Sequence, residues 1–371
     1  MTFSDILQYF AAPAMTQDPI TNALILPPPL APGSVRVGVL SALPELIRSH
    51  VGTSHERIFE ELGIPLDLLN DPANSIPFKK VGRLFDQCVM TSEVPHFGLL
   101  LGQATGPQHV GPLALLAGCA PNVKTALNKM ILHVCVHDRG GAPVLITEGE
   151  SAKLGYAIYE PLDTGLRYIY DASLSIMCNL MRSMCGAKWA PEEVHFSHSR
   201  PANTQPWEEF FRASLVFDAG MDGLVFREQW LEAPIPGDNR QAFETLLDQF
   251  ENLQAEMNIG LREQVRSIVR PLIVTRNCSH QRVADLLLLH PRTLNRRLQE
   301  QDTSLRQIVG EVRYEMARQL LADSDATLKE NSNFLGTSDS IVFSRSFSRW
   351  SNSTPTQWRR TRQLHPGEQR S

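Results

Sequence analysis

Two short runs of side chains carry the clearest chemistry in this 371-residue chain. Arg292, Asn295 and Arg296 stand at i, i+3 and i+4, so a helix would put them on one face. Arginine can grip O6 and N7 of guanine with two donors, and asparagine fits the N6/N7 edge of adenine. Leu294 and Leu298 would turn the other way and pack on Val283 and Leu287 of a preceding short helix. Pro291 suits the first turn of such a helix, whose N–H groups have no intrahelical acceptor. The second run is Ser340, Ile341, Ser344 and Arg345, outward on a helix whose inward stripe is Phe343, Phe347 and Trp350. Gly336 is placed to end the helix before it, and Ser338 or Asp339 to cap it. Both runs read as base-contacting helices, each the second helix of a helix-turn-helix unit suited to the DNA major groove.

Other polar clusters point less clearly. His133 and His137 are i, i+4, flank Cys135 and precede Asp138, but no third ligand is spaced to complete a metal site. His195 and His198 fall on a predicted strand, where their odd spacing sends the rings to opposite faces. Cys178 and Cys185 share a helix face and read as packed thiols rather than a redox pair. The chain has no G-x-S-x-G elbow, Walker loop or G-x-G-x-x-G turn, so neither catalytic residues nor a metal or cofactor is expected. Tyr156, Tyr159, Arg167 and Tyr168 gather around a presumed hairpin and the helix after it. They offer the apolar walls and few oriented polar groups of an effector pocket, with ordinary amphipathic packing as the alternative.

The elements that must position these residues show first as a charge asymmetry. A net charge of −5 conceals 18 Lys+Arg against 11 Asp+Glu in residues 261–371, and 17 against 29 in residues 1–260. All but one of the 18 cations are arginine, whose planar fork suits phosphate and guanine. That is the outline of a nucleic-acid-binding module joined to a different domain. The composition, 42% apolar and 20% charged, is that of a globular protein. No apolar run is long enough to span a bilayer, and no basic stretch precedes the N-terminal apolar residues, so neither a membrane span nor a signal peptide is expected. Six cysteines without a C-x-x-C pair fit a reduced, cytoplasmic setting.

Along the chain, residues 1–33 end in Pro27-Pro28-Pro29-Leu30-Ala31-Pro32-Gly33 and read as a flexible, Pro-rich arm. Residues 34–238 read as an α+β sensor domain. Helical stripes such as Val81, Leu84, Phe85, Cys88 and Val89 come first, then strands at Pro143–Thr147, Ala152–Tyr159, Val194–His198, Ser214–Phe217 and Leu224–Phe226, making a small and mostly antiparallel sheet. Residues 239–260 form an amphipathic connecting helix with Phe243, Leu246, Leu247, Phe250, Leu253 and Met257 on one stripe, which can pack on its own domain or on a second chain. Residues 261–362 are all-α: two helix-turn-helix units joined by one long helix over Leu305–Leu321, with residues 363–371 a tail.

The strings R-T-L-x-R-R-L from Arg292, R-x-x-x-A-x-x-L-L from Arg313 and L-G-x-x-x-x-x-x-F-x-R-x-F-x-R-W-x-x-x-x-P from Leu335 resemble the AraC/XylS family of bacterial regulators. The N-terminal half resembles the arabinose-binding-type sensor of the ornithine-utilisation-regulator-like subgroup. The resemblance implies DNA contacts at Arg292, Asn295, Arg296, Ser340, Ile341, Ser344 and Arg345. It also implies promoter DNA, a small-molecule effector and RNA polymerase as partners, and control of transcription rather than an enzyme activity. Together with the amphipathic helix it suggests a homodimer. The chain departs from the family pattern at Asn331-Ser332, where Ile-Ala is usual, and at Thr337, Asn352, Leu288 and His290. A buried amide costs roughly 1–3 kcal/mol if left unpaired, so the second unit is predicted to be the looser one. Two alternatives stay open: a degenerate regulator acting mainly through dimerisation, and an N-terminal enzyme carrying an accessory DNA-binding module.

Overall fold

The computed structural model describes residues 30–52, 55–160, 162–256, 260–287, 289–323, 327–337 and 339–364. They form two compact units. The first takes in the chain up to Asn258 except Ile158–Asp163, and the second takes in Ile158–Asp163 and the chain from Ile259 onward.

The first unit is mixed α and β. Two three-residue strands, β1 (Ser34–Arg36) and β2 (Ser75–Pro77), pair antiparallel with Val35 opposite Ile76. The helices around them are α1 (His55–Glu61), α2 (Phe78–Ser92), α3 (Phe97–Ala104), α4 (Pro112–Gly118) and α5 (Val123–His133). Then follow β3 (Gly141–Glu148), β4 (Ser151–Ile158), α6 (Leu166–Cys185), β5 (Glu193–His195), α7 (Gln205–Phe211), β6 (Ser214–Val216), β7 (Gly223–Arg227) and α8 (Arg240–Glu256). The sheet order is β3-β4-β7-β5-β6; β7 runs antiparallel to β4 and β5, and β5 and β6 are parallel. The predicted hairpin turns at Glu148-Gly149-Glu150, where Gly149 takes φ +60°.

Helix α6 is the spine of this unit, with Leu174, Cys178 and Met181 wholly buried. It meets α3 closely because Gly98 and Gly102 face it. A Cβ on Gly102 would sit 2.6 Å from the Ala172 carbonyl oxygen, and one on Gly98 would run into that of Tyr168. The predicted stripe on α2 is borne out in Val81, Leu84, Phe85 and Cys88, all buried. Of the expected arm, residues 1–29 lie outside the described residues, whereas Leu30 is buried and its carbonyl accepts from Arg139 Nη1 at 2.6 Å.

Helix α8 changes one expectation. Ala242, Leu246 and Phe250 are buried within the unit, and the Phe250 ring lies 5.3 Å from that of His133 on α5. The face proposed for a second chain is therefore largely occupied by the chain's own domain. Replacing Phe250 with Ser should cost roughly 3–5 kcal/mol, as for other large-to-small core changes, and lower the unfolding temperature. A folded, fully stable monomer from that variant would instead place Phe250 at an intermolecular contact.

From Leu261 onward the second unit is helical: α9 (Leu261–Val274), α10 (His280–Leu286), α11 (Pro291–Gln299), α12 (Leu305–Asp323), α13 (Leu328–Phe334), α14 (Ser340–Ser351) and α15 (Pro355–Leu364). The long connecting helix α12 has 19 residues, about 28 Å at 1.5 Å per residue. It is tied to α9 by a charge ladder. Arg262 and Arg266 bond Glu311 at 2.8 and 3.0 Å, and Arg266 and Arg270 bond Glu315 at 2.5 and 3.2 Å. The Arg266 side chain is only 12% exposed, so this arginine braces the scaffold rather than adding to its outer charge.

Candidate nucleic-acid interface and effector cavity

In the first helix-turn-helix, Ser279 caps α10 by accepting from the Arg282 N–H at 3.1 Å. Val283, Ala284 and Leu286 are buried, and Leu287 is half-buried at the helix end, one position out of the predicted phase. Pro291 opens α11, and the His290 ring accepts from the Arg292 N–H at 3.2 Å, so the departure at His290 still supplies a cap. Leu294 and Leu298 have no exposure, which leaves Arg292, Asn295 and Arg296 on the solvent face, with Arg297 beside them. Arg296 Nη1 donates to Glu300 Oε1 at 2.6 Å across an exposed turn.

In the second unit the cap is Asp339, whose carboxylate accepts from the Ile341 N–H at 2.7 Å; Ser338 lies outside the described residues, as does Leu288. Ile341 is 58% exposed, Arg345 is exposed, and Ser340 and Ser344 are half-buried. Val342 is also exposed, at 51%, an apolar neighbour that the sequence reading left out. Behind this face Phe343 and Phe347 are buried. Tyr314 on α12 stands 5.7 Å from Phe347 and 5.9 Å from Trp350, and Trp358 on α15 stands 5.9 Å from Phe347. The Arg318 guanidinium covers Trp358 at 5.2 Å.

Thr337 and Asn352, two of the departures from the family pattern, are accommodated locally. Asn331 and Ser332 are each 1% exposed, so they do fill core positions. The Ser332 carbonyl accepts from both the N–H and the hydroxyl of Thr337, at 2.9 and 2.8 Å, and the Ser332 hydroxyl donates to the Lys329 carbonyl. Gly336 takes φ +66°, and a Cβ there would lie 2.5 Å from the Ile273 carbonyl oxygen, which fixes glycine at this turn. Asn352 ends α14 at φ 55°, a conformation asparagine tolerates better than most residues.

The first unit holds a cavity of about 110 Å³, where one water needs roughly 10–15 Å³. Its walls come from β1, α2, α5, α6, β3 and β4, through Val35, Phe78, Val81, Met130, Ile176 and Leu154 among others. Asp138 and Tyr156 meet in the lining: the phenol donates to Asp138 Oδ2, while Oδ1 accepts from the Gly140 and Gly141 N–H groups at 2.8 and 2.9 Å. Residues 137–139 are held by β1, since the Arg36 N–H donates to the His137 carbonyl and the Arg139 N–H to that of Ser34.

Of the four residues proposed for an effector, only Tyr156 lines this cavity. Tyr159 is buried beyond the end of β4, and Arg167 lies in the first turn of α6, 5.9 Å from the Tyr168 ring and 6.0 Å from that of Trp207. Sequence reasoning met Asp138 only as a neighbour of the discounted His133/His137 pair; the signal for its place here was the Asp-x-Gly-Gly string, in which a carboxylate can hold the two glycine amides after it. His133 and His137 do not share a helix, because α5 ends at His133. His195 instead contacts Glu193 at 2.7 Å, and His198 contacts Asp171 at 3.3 Å. Among the described residues no group of three His, Cys, Asp or Glu is placed to hold a metal ion, and no helix is long and apolar enough to cross a membrane.

Burial sets the titration of this domain. It pushes His133 down to about 3, with Lys129 adding to the effect, and His137 down to about 4, with Arg36 adding. It pushes Asp138 up to about 7 against the hydrogen bonds from Tyr156, Gly140 and Gly141. His96 and His109 are lowered by burial and Asp222 is raised by it. Below pH 6.5 the unfolded chain protonates histidines that the fold keeps neutral, so each removes stability as pH falls. The two aspartates act oppositely, because the fold retains protons that the unfolded chain has released above pH 3.8. The large shifts of His133 and His137 outweigh that of Asp138 across this range, so acidification from pH 6.5 to 4.5 should destabilise the domain. Each uncompensated proton contributes about 1.4 kcal/mol per pH unit. Thermal unfolding across that range checks the sign, and a constant or rising melting temperature would contradict it.

Residues 52–235 match the model of the arabinose-binding domain of AraC transcription regulator, N-terminal, and residues 283–361 match that of a helix-turn-helix domain. HTH-type transcriptional regulator VirS of Mycobacterium tuberculosis is 25% identical over 286 residues, 75% of this chain and 82% of that protein. The ornithine utilization regulator of Pseudomonas aeruginosa is 23% identical over 328 residues, 88% of this chain and 96% of its own length. Among solved structures, the transcriptional regulator CdpR from Pseudomonas aeruginosa is 21% identical and covers 85% of this chain and 98% of its own, with a TM-score of 0.40. An arabinose-binding-type domain stands ahead of an all-helical domain with paired helix-turn-helix units, and the chain accordingly belongs to the AraC family of DNA-binding transcription regulators, a family of regulators and not of enzymes.

Proposed function

We propose that a small-molecule effector enters the cavity of the N-terminal domain and changes how the C-terminal domain engages promoter DNA. Arg292, Asn295 and Arg296 read bases for the first unit, and Ser340, Ile341, Ser344 and Arg345 read or position for the second. The observation that carries the DNA assignment is the solvent-facing row Arg292, Asn295 and Arg296 on a helix whose reverse side, Leu294 and Leu298, is wholly buried. Ile341, at 58% exposure, supplies an apolar surface of the kind that contacts thymine methyl groups. The domain limits near residues 34, 239, 261 and 362 belong to the same reading. So do a cytoplasmic setting that keeps the six thiols reduced, contact with RNA polymerase, and assembly as a homodimer. The last rests on what α8 leaves partly uncovered, Phe243 and Leu247, both half-buried.

The test is fluorescence anisotropy with DNA from the chain's own upstream region, run with and without compounds extracted from the purified full-length protein. The expected result is an affinity change for wild type that is absent when the cavity is filled by Ala172→Phe. An identical response in the filled variant would remove the cavity from the mechanism.

A further inference from the structure

The cavity of the N-terminal domain is lined by 23 residues, and only His137, Asp138, Tyr156 and Ser173 among them carry side-chain oxygen or nitrogen. A pentose brings several hydroxyl groups, and each one buried without a partner costs about as much as a lost hydrogen bond or more. Beyond Asp138 and Tyr156 the lining side chains offer only His137 and Ser173 as partners, fewer than such a ligand would need. Asp138 and Tyr156 already bond each other, and two backbone N–H groups occupy Asp138 Oδ1. A carboxylate oxygen can accept twice, so Oδ2, which takes the phenol proton, has room for one further donor.

The charge environment narrows the head group. A ligand carboxylate would find no lysine or arginine among the lining residues to pair with it, and burying an unpaired carboxylate is costly. A ligand ammonium would leave water for a wall whose one acidic side chain, Asp138, already accepts three hydrogen bonds and is itself pushed towards its neutral form by burial. A neutral hydroxyl meets neither objection. The rest of the wall, including Phe78, Val81, Phe85, Leu127, Met130 and Ile176, asks for hydrocarbon.

We infer that this cavity takes a predominantly apolar molecule bearing one neutral hydroxyl, which donates to Asp138, and that it does not take a sugar. The inference rests on the cavity being the effector site, and the experiment separates the two. The full-length chain is titrated with the neutral fluorophore N-phenyl-1-naphthylamine, then challenged with 1-octanol, octanoate, octylamine and L-arabinose. Saturable probe binding is expected, displaced by octanol at concentrations at least tenfold below those needed for octanoate or octylamine, with no displacement by millimolar L-arabinose. Ala172→Phe, and Val81→Phe as a second filling variant, should lower probe affinity at least tenfold with an unchanged far-ultraviolet spectrum. Asp138→Asn should weaken octanol about threefold to tenfold, the worth of one hydrogen bond, and weaken the probe, whose diarylamine N–H is the poorer donor, by less.

Displacement by L-arabinose, or by octanoate ahead of octanol, overturns the ligand class and leaves the site standing. Equal loss of probe and octanol in Asp138→Asn overturns the hydroxyl contact. Undiminished probe binding in both filled variants shows that the cavity is not where ligands bind, and the underlying reading fails with it.

Discussion

Replacing both Arg292 and Arg296 with Ala is expected to weaken binding to the specific site by roughly 2–6 kcal/mol, about 1–3 kcal/mol for each lost base contact. The loss on random DNA should be clearly smaller, because only the non-specific phosphate attraction of two cations is then removed. Both side chains are exposed on α11, and the leucines behind them fix which way the helix faces. Arg296 must exchange its contact with Glu300, an exposed pair with side chains 65% and 57% open to solvent. Such a pair is worth about 0–1 kcal/mol, so the exchange costs little beside a bidentate base contact. Glu300→Gln should accordingly bind slightly more tightly than wild type. Equal losses on specific and random DNA in the double variant would assign both arginines to phosphate alone.

Phe347→Ala should cost roughly 3–5 kcal/mol in the C-terminal domain, a large share of the usual 5–15 kcal/mol for a folded domain. Phe347 is fully buried at the meeting point of α12, α14 and α15, within 6.0 Å of the Phe343, Tyr314 and Trp358 rings. Removing it takes away the surface on which α14 rests, so Ile341 and Arg345 lose their fixed aim. Affinity for a two-part site should fall towards that for the first half alone, and amide exchange should rise across Ser340–Ser351. A change below 1 kcal/mol with unaltered exchange would show that α14 is held by other contacts.

That second unit also shows how far the sequence could be read. Asn331 and Ser332 were expected to loosen it, because polar side chains stand where Ile and Ala are usual. Both do lie in the core, and Thr337, itself a departure, adds its hydroxyl to the N–H already on the Ser332 backbone carbonyl, which ties the turn without involving the Asn331 side chain. Pattern comparison weighs positions one at a time and does not see that two departures belong to one turn. The outward faces of α11 and α14 were legible because leucine and phenylalanine at i, i+4 fix a face regardless of what lies beyond it. The hairpin strands were legible from their alternation, but β1 and β2 were not, since three residues show no period and their pairing spans forty positions of chain. The stripe on α8 was visible, but a stripe does not say what covers it. Here it is partly His133, whose spacing to His137 had drawn attention as a metal pair. Asp138 was seen only as a neighbour of that pair, because its place in the cavity depends on β1, which holds residues 137–139 from a hundred positions away.

The central claim is that one chain presents two base-reading helices to neighbouring turns of promoter DNA. Hydroxyl-radical footprinting of the full-length protein on its own upstream region tests it most directly. Two protected blocks centred about 10–10.5 base pairs apart are expected, the first lost in the Arg292→Ala, Arg296→Ala variant and the second in Arg345→Ala. A single block, or protection that neither variant alters, would contradict it.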